Sequence, residues 1–418
     1  MMPDYSERRR IIKDAILESI EVLSPNSIIS KRDSEISGFI RKVSSYSIFS
    51  LGKASSKMCM GLSKEIIEGS TNSICLSPVG SFEPNGFRNY HGNHPYPGKD
   101  TFTSSKEIME TLSNDESEGL LVMLSGGASS MFEVPDQDIS QERYLEIMNK
   151  LIREDYSIEI INEVRCRLSQ VKCGKILSLI KYAKIKIFAI SDVPGDRISV
   201  IGSNPFYPTD QHIEIPEELR YSIKSLQNDK SNVLRKDIKL PEYSIILSGS
   251  IYSKGLIDLI KTEFPKVDMG QIIKGNVEDL APSLMKSIRE KYSEINSPFW
   301  FTAHGESTAT VTGKGRGGRN TYLSSLIIEQ ANSDEIFSFI SFATDGVDGN
   351  SDLAGFIVDE NIRNTVGKNI IENFIMESDT ANLALKCGTD LNTGPTGNNV
   401  SDVIIGFYGG KSNENTLQ

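Results

Sequence analysis

Short apolar runs alternate with segments of helical period through the first half of the chain: "SYSIFSLG", "NSICLSPVG", "EGLLVMLSGG" and "KIKIFAISDV". Each run ends in Gly, Ser or Asp, and each is followed by a stretch long enough for a helix. That alternation predicts βαβ units around a mostly parallel sheet, so the fold class is α/β. In such sheets ligands gather at the carboxyl ends of strands, where these Gly/Ser/Asp clusters fall. Near residues 205–240 the pattern changes: "NPFYPTDQHIEIPEELR" is rich in proline and charge, and "NDKSNVLRKDIKLPEYS" is polar with a weak helical pattern. A domain boundary is therefore expected near residue 240, giving domains of 1–240 and 241–418. "YSIILSGS" then opens a further strand–turn–helix unit, while "SPFWFTAHGESTATVTG", "IFSFISFATDGVDG", "AGFIVDE" and "VSDVIIGFYGG" read mostly as strands. No fixed-period repeat is visible.

A length of 418 residues exceeds what one hydrophobic core usually organises, in keeping with two domains. The net charge of −11 argues against a general nucleic-acid or anionic-membrane binder, which needs basic surface. It leaves room for a small anionic ligand at one local basic loop. The five cysteines show no CxxC spacing, so reduced thiols are expected rather than a zinc site or a disulfide framework. The N-terminus "MMPDYSERRRIIKDAILESI" is charged and helical without an apolar signal region. No apolar run reaches the ~18 residues of a membrane span. A soluble cytoplasmic protein is expected.

The candidate chemistry lies where strands end. "GESTATVTGKGRGGRN" has a β-branched, threonine-rich start that predicts a strand from Glu306 to Val311, and a helix is expected from Asn320. Between them, glycines let backbone N–H groups approach a phosphate, and a helix start adds unpaired donors. Arg316 and Arg319 supply guanidinium forks that suit phosphate oxygens. The stretch Gly313 to Asn320 thus reads as a phosphate cradle, with Gly317, Gly318 and Asn320 as backbone or side-chain donors. No GxxxxGK[ST] loop occurs in the chain.

"LVMLSGGASSM" offers a second such turn without cations, with Ser125, Gly126, Gly127 and Ser129 as binding candidates. "SLGKASSKM" places Lys53 just after a strand, where a bound anion would offset its charge at a helix start. "ATDGVDGNSD" clusters Asp345, Asp348 and Asp352, and "ISDVPGD" adds Asp192 at another strand end. Asp192 and Asp345 are the candidates for holding Mg²⁺, which takes one or two carboxylates plus substrate oxygens, or for orienting a substrate hydroxyl. The histidines are His91, His94, His212 and His304; the pair in "HGNHP" lacks a third ligand, and no serine sits in a GxSxG turn.

Together, "LGKAS", "NHPYPGKD", "LVMLSGGASS", "VRCRLSQVKCGK", "ISDVPGDRISVIGSNP", "GESTATVTGKGRGGRN", "ATDGVDGNSDLAG" and "NTGPTGNNVSD" resemble the glycerate 2-kinases whose C-terminal part is the MOFRL domain. The blocks span residues 51 to 402 in the family's order. The resemblance implies an ATP- and Mg²⁺-dependent kinase acting on the 2-hydroxyl of D-glycerate. It also implies a Rossmann-like N-terminal domain and a smaller C-terminal α/β domain with a mixed sheet, the active site lying in the cleft between them. The family's lysine in "GKA" falls on Lys53 and its arginine in "GGRN" on Arg319, which become the catalytic candidates; Arg165 joins the substrate-binding set. The chain departs from the family's "SGGGSA" with "SGGASS", and has Arg167 where the family has a histidine. These departures leave fine substrate preference open.

Phosphoryl transfer asks mainly for positioning and charge neutralisation around an in-line γ-phosphate. Two rivals are an NAD-dependent hydroxyacid dehydrogenase, for which "GKGRGG" supplies the glycine spacing, and a non-enzymatic sugar-phosphate-binding protein. Small-molecule substrates are the partners expected, with no nucleic acid and no membrane. A homo-oligomer is left open.

Overall fold

The computed structural model describes residues 2–208, 213–222 and 239–412. His212 and most of the polar stretch with the weak helical pattern lie outside the described residues. The apolar runs of the first half form strands β1 (Tyr46–Leu51), β2 (Ser73–Pro78), β4 (Gly119–Leu124) and β5 (Lys184–Ile190). A short polar strand β3 (Arg88–Gly92) and strand β6 (Glu242–Leu247) complete a six-stranded sheet in the order β3-β2-β1-β4-β5-β6. All pairings from β3 through β5 are parallel. This is the doubly wound, Rossmann-type order. Every residue of β1 and β4 is buried, which explains why these strands read as continuous apolar runs rather than alternating ones. Phe49, Leu51, Leu76, Val122, Leu124 and Ile187 share one buried cluster with Phe132 and Phe206.

The second sheet is mixed. Its strands are β7 (Lys266–Asn276), β8 (Phe299–Thr308), β9 (Glu335–Ala343), β10 (Gly355–Phe356), β11 (Val358–Asp359), β12 (Asp390–Leu391) and β13 (Asp402–Lys411). They run in the order β12-β10-β9-β13-β8-β7, with β11 also pairing β9. Only β7 and β8 pair in parallel among the described residues; the other pairings are antiparallel. β8 ends at Thr308, so the strand expected to reach Val311 stops three residues earlier. Helices Val277–Ile295 and Arg319–Gln330 bury Leu284, Ile288, Leu323 and Ile327 against Phe301, Phe339 and Ile404. No helix of the described residues is long and apolar enough to cross a membrane.

The chain divides into two units, one of Pro25–Ile246 and one of Met1–Ser24 together with Leu247–Gln418. This differs from the expected split at residue 240 in two ways. β6, read as the opening of the second domain, is the edge strand of the first sheet. The N-terminal helix Tyr5–Val22 belongs with the second unit instead of the first. Its Arg8 is fully buried there, donating to Ser338 Oγ at 2.9 Å and to the carbonyl of Pro3 at 2.9 Å, and pairing with Glu360. Arg9 pairs with the buried carboxylate of Asp359. Two arginines held this way fix the helix to strands β9 and β11 and to the helix that follows β11.

Candidate active site

In the order 3-2-1-4-5-6 the winding reverses between β1 and β4, and the crevice outside their carboxyl ends is where such sheets bind ligands. The turns after these two strands are laced together. Ser125 N–H donates to the Leu51 carbonyl at 3.0 Å, Lys53 N–H to the Gly126 carbonyl at 2.9 Å, and Ala54 N–H to Ser125 Oγ at 3.0 Å. Gly52 has φ of +118°, and a Cβ there would lie 2.3 Å from Ser125 Oγ and 2.5 Å from the Ser125 carbonyl oxygen. A Cβ on Gly126 would lie 2.0 Å from Asp192 Oδ2, so the Asp192 carboxylate rests directly on this turn. A Cβ on Gly127 would meet Lys53 Cγ at 2.8 Å. Lys53, Ser125, Gly126, Gly127 and Asp192 are therefore one constellation, with Lys53 exposed to solvent. Ser129 is half-buried on the single helical turn Ala128–Met131 that follows.

The Gly52 geometry carries a stability consequence. Gly52→Ala is expected to destabilise the protein by about 3 kcal/mol, because a left-handed φ and a backbone oxygen both oppose the methyl group. A drop in the urea unfolding midpoint at unchanged slope would register it.

A second layer lies beneath the turn. Arg165, 6% exposed on the helix Ile158–Leu168, donates from Nη1 to Asn162 Oδ1 at 3.2 Å, while its Nε has no hydrogen-bond partner. Lys172 is fully buried and donates from Nζ to the Ala128 carbonyl at 3.1 Å. Burial lowers its ammonium to about 8, with the Glu133 charge opposing and the Arg165 charge adding. His94 meets Ser130 Oγ at 2.9 Å through Nδ1, and desolvation, then the charges of Lys53 and Arg165, push it down to about 4. Arg167 has a different task, pairing with Glu163 on its own helix at 2.8 Å. Cys166 and Cys173 are joined as a disulfide, Cα atoms 5.6 Å apart. The expectation of reduced thiols is corrected for this pair; Cys59, Cys75 and Cys387 are free.

The glycine-rich loop of the other unit has a different geometry from the one expected. The helix starts at Arg319 after Gly318, and its first donors are taken by the chain's own carboxylate. Asp348 accepts from Asn320 N–H at 2.9 Å, Asn320 Nδ2 at 3.2 Å, Thr321 N–H at 2.8 Å and Thr321 Oγ1 at 2.8 Å. The backbone donors read as a phosphate cradle are thus satisfied internally. A Cβ on Gly318 would lie 2.4 Å from Asp348 Oδ1, so this glycine serves the close approach of the Asp348 loop. Arg316 pairs with Asp352 at 3.1 Å on the surface. Arg319 spans two carboxylates, Glu306 at 2.8 Å and Asp402 at 2.6 Å. Burial raises Asp402 to about 6, against the pull of Arg319 and Asn320.

Residues 299–402 match the MOFRL family, and residues 11–234 match a domain of unknown function, DUF4147. A glycerate 2-kinase of Picrophilus torridus is 32% identical over 412 residues, covering 95% of this chain and 97% of that protein. The chain belongs to the glycerate 2-kinase family. A D-glycerate 2-kinase of Thermotoga maritima is 29% identical over 426 residues, covering 97% of this chain and all of that protein. A crystal structure of glycerate kinase from Thermotoga maritima matches with a TM-score of 0.84 at 26% identity, over 96% of this chain and 99% of that one.

Within this glycerate 2-kinase family member, the residues taken from the sequence fall into two groups. Lys53, Ser125, Gly126, Gly127, Ser129, Arg165 and Asp192 belong to the unit built on the parallel sheet; Arg316, Gly317, Gly318, Arg319, Asn320 and Asp345 belong to the other. Asp345 is a turn residue, its Oδ1 accepting from Val347 N–H at 3.1 Å. Among the described residues, no three His, Cys, Asp or Glu side chains gather as a metal site. The donor set fits an ion carried by nucleotide phosphates, which asks for one or two protein carboxylates at most. The sequence gives no sign of Asp402 as the partner of Arg319, nor of the buried charges Glu133 and Lys172 near Arg165. "VKCGK" and "NNVSD" contain Lys172 and Asp402, but a buried charge leaves no local pattern.

Proposed function

We propose that this chain is a kinase that transfers the γ-phosphate of ATP to the 2-hydroxyl of D-glycerate, giving 2-phosphoglycerate and ADP. The observation that carries the reading is the laced turn at the β1/β4 switch point, where an exposed lysine, the Ser125-Gly126-Gly127 turn and a carboxylate converge. Lys53 takes the charge developing on the transferring phosphoryl group, and Ser125 with the Gly126–Gly127 turn orients the substrate. Arg165 provides the cation for the glycerate carboxylate. Arg319 is the guanidinium assigned to the phosphoryl group by the family resemblance, its fork ordered by Glu306 and Asp402. Asp192 would hold Mg²⁺, which when bound neutralises nucleotide phosphate charge. Arg316, Gly317, Gly318 and Asn320 shape the Arg319 loop in this reading.

The dehydrogenase alternative loses its main support. "GKGRGG" is followed by a helix whose first donors Asp348 occupies, where a dinucleotide fold would place the pyrophosphate. The turn after β1 reads "LGKAS", without the glycine fingerprint.

The test is to incubate the protein with D-glycerate, ATP and Mg²⁺ and identify the product by phosphorus NMR. 2-Phosphoglycerate is expected, with turnover abolished by excess EDTA and no requirement for a nicotinamide cofactor. The 3-phosphate isomer alone, or no product, rules the reading out; undiminished turnover in EDTA removes the ion from it.

A further inference from the structure

The layer beneath the Ser125–Ser130 turn does not balance its own charge. Three ionisable side chains there are almost wholly buried: Glu133 and Lys172 at 0% exposure and Arg165 at 6%. Glu163 lies on the same helix as Arg165, but its carboxylate is committed to Arg167. One carboxylate therefore faces two cations. Glu133 is itself only half satisfied, accepting from Tyr144 O–H at 2.7 Å through Oε2 while Oε1 has no partner. Arg165 Nε likewise has none. Buried polar atoms left this way are uncommon in folded proteins, and a surplus buried charge is costly unless something offsets it.

Lys172 connects this layer to the turn above. Its ammonium holds the Ala128 carbonyl, the first residue after the Ser125-Gly126-Gly127 sequence. A positive charge fixed under this turn attracts an anion bound at it, and a dry setting magnifies the effect.

We propose that Lys172 is a positioning residue that, with Arg165 and against Glu133, sets the positive charge under the Ser125–Ser130 turn and so selects a carboxylate-bearing substrate. This rests on the kinase reading of the same turn. Glu133 acts as a built-in attenuator: it keeps the layer tolerable in the free protein and weakens the anion's hold by the same interaction. The two residues should thus have opposite effects on substrate affinity, an outcome that loss of packing cannot produce.

The experiment measures D-glycerate binding by calorimetry without nucleotide, and steady-state kinetics beside it, for the wild type, Lys172→Met and Glu133→Gln. Lys172→Met is expected to weaken D-glycerate binding and raise its KM on the order of tenfold, leaving the KM for ATP and kcat within about twofold. Glu133→Gln keeps an acceptor for Tyr144 and is expected to tighten binding and lower the same KM a few-fold. If Lys172→Met does not fold, the sign of the Glu133→Gln effect decides alone. Weaker binding in both variants, or no change in Glu133→Gln, overturns the proposal. Charge-ordered binding without phosphorylated product would sink the kinase reading and leave this one standing. Product formation by the wild type with affinities blind to both substitutions would do the reverse. A wild type that neither binds nor phosphorylates D-glycerate removes both.

Discussion

Lys53→Met is expected to lower kcat for glycerate phosphorylation on the order of 10²-fold, a loss of about 3 kcal/mol of transition-state stabilisation. The expectation follows from where the backbone puts this residue. Lys53 N–H is bound to the Gly126 carbonyl, and its stem lies against Gly127, so the side chain is aimed by two turns rather than by a partner charge. Its ammonium is exposed and holds no structural ion pair among those described, which leaves its charge available to a phosphoryl group. Methionine preserves the stem contacts with Gly127 and removes only the charge. The thermal midpoint should accordingly stay within a degree or two, about what a surface substitution produces. Steady-state kinetics and a thermal melt on one preparation check both halves. A variant with wild-type kcat would take Lys53 out of the mechanism, and a large fall in midpoint would make it a structural residue.

The parallel sheet was legible because its central strands are buried on both faces. "SIFSL" and "LLVML" cannot be amphipathic surface elements, and their Gly and Ser ends mark the turns. Strand β3, by contrast, is "RNYHG" at the sheet edge, with one fully buried residue and no apolar pattern to read. β6 was visible as a strand, but an apolar run does not say which sheet it joins. The N-terminal helix was misplaced for a similar reason: "ERRRII" looks like a solvated face, and Arg8 is buried only because Glu360 and Ser338 come to it from far along the chain. Convergence of Lys53, Ser125 and Asp192 could be anticipated, since strand ends in this topology share one crevice. The Arg319 loop shows the opposite limit. Glycines and a helix start announce a carboxylate or phosphate, and sequence alone does not say whether the anion is a ligand or, as with Asp348, part of the chain.

Arg319→Lys is expected to be damaging although it keeps the charge, and more so at pH 7.5 than at pH 5. Arg319 reaches Glu306 through Nη1 and Asp402 through Nε and Nη2 at once, a span that an ammonium cannot reproduce. Asp402 is buried and shares the amide of Asn320 with Asp348, so a weakened cation leaves two carboxylates facing each other. Burial has already raised Asp402 to about 6, above its unfolded value near 3.8. For a carboxyl with a raised folded value, stability is fullest below the unfolded value and is lost as pH rises toward and through the folded one. Weakening Arg319 raises the folded value further and extends that loss to higher pH, so the variant's deficit should grow between pH 5 and pH 7.5. In the proposed mechanism the same change should reduce kcat on the order of 10²-fold, because the guanidinium assigned to the phosphoryl group is no longer held. Arg316→Lys is the control: its bond to Asp352 joins two exposed side chains, worth up to about 1 kcal/mol and screened by salt, so only a modest rise in KM is expected. Melts of both variants at the two pH values, with kinetics at the higher one, separate the roles. An Arg319→Lys deficit that is the same at pH 5 and 7.5 would show that Asp402 does not depend on the guanidinium, and unchanged kcat would leave Arg319 a structural clamp.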